Sequence, residues 1–177
     1  MKTLKFIFLF CITIFVTIPS KLSAQVNNDS LIAQLNRKWT NAKVYALKMA
    51  ELMPEKYYGF KPVPEEMSFR QQLLHIADNI EWLTSTYLFV PKKNVNDSLA
   101  KEKASVIKIL SDAYDIGATA HQNISDKQLD EIIPFFAGPM TRRQILFLLH
   151  DHQAHHLGQL IVYLRLKGIK PPDYVGW

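Results

Sequence analysis

Apolar residues recur at intervals of three and four along four stretches of this chain, and that spacing predicts four long helices. The first stretch runs from about Ser30 to Met53. Leu31, Leu35, Trp39, Ala42 and Ala46 share one face, Asp29 or Ser30 can cap the start, and Pro54 stops the helix. The next segment, Pro54 to Met67, holds three prolines, Gly59, Tyr57, Tyr58 and Phe60, and reads as an ordered loop. A second helix opens at Ser68, where Ser68-Phe-Arg-Gln71 has the form of a capping box. It carries Phe69, Leu73, Ile76, Ile80, Leu83 and Tyr87 inward and ends near Pro91. After a polar turn, a third helix is expected from about Ser98 to Gln122, with Ala100, Ala104, Ile107 and Tyr114 inward. Residues 124–136 read as a short helical or irregular insert starting at Ser125-Asp126, closed by Gly138-Pro139. A second capping box, Thr141-Arg-Arg-Gln144, opens the last helix, which runs to about Lys167 and stops at Gly168 before an extended tail. There is no repeat and no two-residue alternation. Four helices on short connections make an all-α four-helix bundle.

The last helix carries the distinctive chemistry. Leu149-His-Asp-His-Gln-Ala-His-His-Leu-Gly-Gln159 holds four of the six histidines. On a wheel at ~100° per residue with Ile145 at zero, His152 and His156 fall about 20° to either side, in the sector of Leu149, Leu160 and Tyr163. Two imidazoles one turn apart on the inward face can share a metal ion. They can also be core histidines with hydrogen-bonded rings, although two neutral rings then need several partners. His150 and His155 project roughly 80° or more off that line. A catalytic ion usually takes three protein ligands and keeps an open position. His75, on the second helix, is the candidate for the third, but it lies roughly 120–140° from the centre of that helix's apolar stripe. Pattern alone makes His75 a surface residue beside Gln72 and Asn79, and His121 a solvated residue at a helix end.

Charge and compartment concern the N-terminus. Met1 to Lys5 is basic, Phe6 to Pro19 almost wholly apolar, and Ser20 to Ala24 a run with small residues. Residues 1–24 thus read as a secretory signal peptide, with an uncleaved anchor as the alternative. Their removal takes away Lys2, Lys5 and Lys21 and no acid, so the formal net charge falls from +5 to +2. The lone cysteine, Cys11, goes with them, leaving no disulfide or thiolate in a domain of residues 25–177. Export without disulfides points to a bacterial periplasm. No basic stripe suits nucleic acid, and no membrane span is expected after cleavage. A homodimer is compatible with a bundle of this size.

Ser68-Phe-Arg-Gln-Gln-Leu-Leu-His75-Ile-Ala, Met140 to Leu146, Asp151 to Leu160 and Tyr163 to Pro172 together make the chain resemble the DinB/YfiT-like superfamily of four-helix-bundle proteins. The resemblance spans essentially all of residues 25–177. It implies a divalent metal held by one histidine of the second helix and an H-x-x-x-H pair of the last, which here are His75, His152 and His156. Leu157 stands where relatives often carry an arginine, so no anion contact is expected there.

Three neutral imidazoles leave an ion's charge uncompensated, which suits a Lewis acid. Zinc is the first expectation; nickel, manganese or iron also fit three histidines. The resemblance implies either a metal-dependent hydrolase of an unidentified small molecule or a thiol-dependent transferase or isomerase. Thiol cofactors are mainly cytosolic, so export counts against the second. A non-catalytic bundle stapled by its metal is the third reading. The absence of C-x-x-C-H and of E-x-x-H argues against haem and di-iron bundles. No catalytic side chain is assigned: Asp151 points away, Gln159 is within reach of a ligand ring, Gly158 permits close helix contact, and Tyr57, Tyr58 and Phe60 serve as lid or as loop packing.

Overall fold

A computed structural model describes residues 30–94 and 100–177. The expected signal peptide, residues 1–24, lies outside the described residues. Four long helices form the bundle: α1 (Leu31–Leu52), α2 (Phe69–Tyr87), α3 (Lys103–Asn123) and α5 (Arg142–Leu166). Between α3 and α5 lie a one-turn helix, α4 (Asp126–Leu129), and two short strands, β1 (Ile132–Ile133) and β2 (Met140–Thr141). The strands pair antiparallel with Ile132 opposite Thr141 and Ile133 opposite Met140. Helix α1 packs beside α3, α3 beside α2 and α2 beside α5, while α5 closes on α1 through a narrower contact.

Local chemistry explains where the helices begin. Ser30 accepts from the Ala33 amide at 3.3 Å. Ser68 and Gln71 form a complete capping box, and so do Thr141 and Gln144. The loop before α2 adds two further caps: Phe60 and Tyr58 carbonyls each accept from α2's first-turn amides, of Phe69 and Arg70, at 2.9 Å. Tyr58 is buried, donates its hydroxyl to the Ala50 carbonyl at 2.8 Å and stands edge-on to Phe69. This loop is therefore packing, and its role is to anchor the start of α2. At the other end of α5, Gly168 adopts φ +70°, and the Ile169 amide bonds the Leu164 carbonyl in a Schellman closure.

Trp39 and Gly117 set the spacing of α1 and α3. The indole donates to the Tyr114 carbonyl at 2.8 Å and fills the space over Gly117, where an added Cβ would lie 2.2 Å from the ring. The core around them includes Met49, Phe69, Leu73, Ile76, Leu83, Leu110, Ile145, Leu149 and Leu160.

Four expectations need correction. Helix α3 starts at Lys103, later than Ser98 (residues 95–99 are outside the described ones). Its inward stripe passes through Val106, Leu110, Ala113, Tyr114 and Gly117, which leaves Ala104 exposed on the far side. The β1–β2 pair escaped pattern reading because two residues per strand are too few for a two-residue period to register. Gly158 makes no close helix contact: nothing lies within 4 Å of an added Cβ, and it borders a cleft of about 230 Å³ between α1 and α5.

Candidate metal centre

Helices α2 and α5 run antiparallel. The Tyr163 hydroxyl of α5 reaches the Met67 carbonyl at the start of α2, and the Arg142 guanidinium at the start of α5 reaches the Tyr87 carbonyl at the other end. This arrangement brings His75 of α2 opposite His152 and His156 of α5. Ring centroids are 5.0 Å apart for His75 and His152, 4.6 Å for His75 and His156, and 4.6 Å for His152 and His156. One nitrogen from each ring lies within 4.8 Å of the other two. His156 is buried, and His75 and His152 are half-buried.

The placement of His75 departs from the apolar wheel for a physical reason. Helix α2 packs against α3 and α5 at once, so its buried arc is wider than its apolar stripe. Gln72, Glu81 and Thr84 are buried along with Leu73, Ile80 and Leu83. His75 stands at the α5-facing edge of that arc.

Burial first, and then the neighbouring imidazoles, push the His152 and His156 pKa values down to about 4. Both rings are neutral at pH 7, so their lone pairs are available. A hydrogen-bond chain settles which nitrogen of His156 carries its proton. The Met67 carbonyl only accepts, so the Tyr163 hydroxyl donates to it, at 2.7 Å. The Tyr163 oxygen is then open to the Gln72 amide N–H at 3.4 Å, which turns the Gln72 Oε1 to His156 Nδ1 at 2.5 Å. Gln159 Oε1 lies 3.1 Å from the same Nδ1, and its amide nitrogen faces His155 Nε2 at 3.2 Å. Two acceptors require Nδ1–H, and Nε2 keeps its lone pair. Outer partners of this kind orient metal-binding histidines. Gln159 thus reaches the His156 ring, as its position suggested, and Gln72 does so as well.

The donor set suits a divalent ion. Were all three nitrogen pairs at the 4.8 Å limit, a point equidistant from them would lie about 2.8 Å away, so zinc–nitrogen bonds of about 2.0–2.1 Å need each ring to move by under ~1 Å. Among the described residues the cluster has three donors and no carboxylate. Asp151 and His155 are exposed, as expected, and the His155 ring stands edge-on to His156 with centroids 5.0 Å apart.

The two remaining histidines overturn their predicted positions. His121 was expected in solvent and His150 off the inward face; each is only 1% exposed. His121 Nδ1 donates to the Gly117 carbonyl at 2.7 Å, which leaves His121 Nε2 to accept from His150 Nε2 at 2.8 Å. Trp39 lies 5.3 and 5.1 Å from the two rings. Burial is the main cause that lowers both pKa values, with His150 reaching about 3. A second helical stripe on α5, Leu146, His150, Gln153 and Leu157, carried this information, and all four residues are buried. Gln153 in turn accepts from the Tyr114 hydroxyl at 2.8 Å.

Comparison with known proteins agrees with this architecture. The model of the DinB family matches residues 25–176, and the chain belongs to that family. It is 28% identical to the uncharacterized protein YjoA of Bacillus subtilis (strain 168) over 130 residues, 68% of this chain and 80% of that protein. A crystal structure of a DinB-like protein from Bacillus cereus ATCC 10987 superposes with a TM-score of 0.72 at 22% identity, over 81% of this chain and 97% of that one. The crystal structure of the DinB-like YjoA from Bacillus subtilis gives 0.67 at 21% identity, over 80% and 97%. At these identities the two structures speak for the fold alone.

Proposed function

With DinB-family membership as premise, we propose that the protein binds one divalent metal ion, zinc first, through His75, His152 and His156, and acts as a metal-dependent hydrolase of a small molecule. One observation supports this above the rest: three imidazoles from two helices converge, two of them are held neutral by burial, and Gln72 and Gln159 fix the proton of His156 on Nδ1. A bound divalent ion supplies Lewis acidity at that point. The chain supplies orientation and dielectric. Gln72 and Gln159 hold the His156 ring, and Tyr163 holds Gln72. Three donors leave positions for a reactant, which favours an open site over a metal that only staples helices.

Elemental analysis of the purified protein tests the ligand set. About one ion per chain is expected, with sharp loss in His75→Ala, His152→Ala and His156→Ala. The exposed His155→Ala is the matched control. Undiminished metal in His75→Ala would remove α2 from the site.

We also propose that residues 1–24 are removed on export and that the mature protein works in the periplasm. The basic start and apolar run of that segment support this reading. A mature N-terminus near Gln25, read by mass spectrometry of protein from a bacterial envelope fraction, is the expected result.

A further inference from the structure

The metal-facing edge of α2 continues past His75. His75, Asn79, Trp82 and Thr86 follow one another at intervals of four, three and four residues, and so form a single stripe within about 60° of one another. Asn79 Oδ1 is buried and has no hydrogen-bond partner. A buried acceptor left unpaired is unfavourable in the isolated protein and calls for a donor. Beyond it, Trp82 is 38% exposed and meets Tyr87, Phe135 and Phe136 at ring-centroid distances of 6.0, 6.1 and 6.2 Å. Phe136 is itself 81% exposed. Tryptophan and phenylalanine gathered at a surface, outside a core that could have buried them, mark a recognition site. The helix rise puts Asn79 about 6 Å and Trp82 about 10 Å along from His75.

We infer that this stripe is a substrate subsite, and that the substrate is a small organic anion with three features in line: an anionic head at the histidine cluster, an N–H donor one turn along opposite Asn79, and a flat aromatic group two turns along against Trp82. The inference rests on the proposed metal centre and adds the class of molecule that the centre serves. The aromatic end packs on an indole already flanked by Tyr87, Phe135 and Phe136, so little side-chain freedom is lost on binding. The linker N–H satisfies the Asn79 oxygen.

Hippurohydroxamate carries these three features, and acetohydroxamate carries the head alone. Calorimetric titration of both into the zinc-loaded protein separates the subsite from the centre. Hippurohydroxamate is expected to bind about tenfold more tightly than acetohydroxamate, in line with one aromatic contact and one hydrogen bond. Trp82→Ala and Asn79→Ala are each expected to lower that ratio severalfold while acetohydroxamate binding is unchanged, and Trp82→Phe to retain most of it. Circular dichroism of the Trp82→Ala protein confirms folding. A ratio near one, or one unmoved by Trp82→Ala, overturns the subsite and leaves the centre standing. Failure of acetohydroxamate to bind in a zinc-dependent way overturns the centre and the subsite with it. A ratio near one together with a dimer that Phe136→Ala dissociates assigns the aromatic patch to a second copy of the chain, and overturns the proposal.

Discussion

Two histidine clusters share helix α5 and differ in how their nitrogens are used. His121 and His150 spend their facing nitrogens on each other, at 2.8 Å, beneath the Trp39 ring. Three of the pair's four ring nitrogens are thereby engaged, and the fourth, His150 Nδ1, is buried without a partner. His75, His152 and His156 are arranged differently: His156 Nδ1 is engaged by Gln72 and Gln159, and one nitrogen from each of the three rings lies within 4.8 Å of the other two. Residue type and helix are the same, and the two sets begin only two positions apart. The disposition of the partners makes one cluster a core fastening and leaves the other as three donors that could hold a metal ion. Burial alone fails to separate them, since His150 and His156 are both buried.

The sharpest way to break that comparison is to remove one ring from each cluster. His152→Ala should lower zinc affinity by more than the 10–100-fold typical of losing an outer partner, measured by competition with a chelator. His150→Ala should keep its zinc and lose stability instead. A cavity opens beside Trp39 and His121 Nε2 loses its donor, so a loss of about 2–4 kcal/mol is expected in denaturant unfolding. Zinc loss in His150→Ala, at a temperature where the variant is folded, would erase the distinction between the clusters.

Smaller changes sharpen it. Gln72→Ala removes the acceptor on His156 Nδ1 and should cost about 10–100-fold in zinc affinity with the fold intact. An unchanged affinity would leave Gln159 as the orienting partner. Gly117→Ala drives a methyl into the Trp39 indole beside the closed pair and should destabilise by about 1–3 kcal/mol without touching metal affinity. Acid should act on both clusters in the metal-free protein. His150, His152 and His156 have folded-state pKa values pushed below the ordinary 6.5, to about 3, 4 and 4. The unfolded chain therefore takes up protons first. Stability is complete above about pH 6.5 and declines as pH falls towards 3, by up to about 1.4 kcal/mol per pH unit for each histidine. Urea midpoints across that range check the slope; a flat profile would mean that these rings charge freely in the folded state.

Much of the fold could be read along the chain. Ser68 with Gln71 and Thr141 with Gln144 mark the starts of α2 and α5, because a capping box is a local arrangement of four residues. Pro54 and Gly168 mark stops for equally local reasons. The His152–His156 pair was legible because a one-turn spacing survives in any helix. His75 was not legible from its own helix, where the apolar stripe pointed elsewhere, and only the family resemblance placed it. His150 was misplaced because the wheel was centred on a single stripe, whereas α5 buries two, one against α2 and one towards α1 and α3. His121 was misplaced because the end of α3 is covered by Trp39 and His150, neither of them near it in sequence.

The amino-acid order thus determined the helices, their caps and a metal-competent spacing on α5, all of which depend on residues within one or two turns of each other. Only the packed bundle decided which imidazoles meet across helices, which nitrogen of His156 keeps its lone pair, and which histidines are sealed under Trp39. Those outcomes depend on contacts between residues as far apart in the chain as Gln72 and His156, and such contacts exist only once the helices have closed on one another.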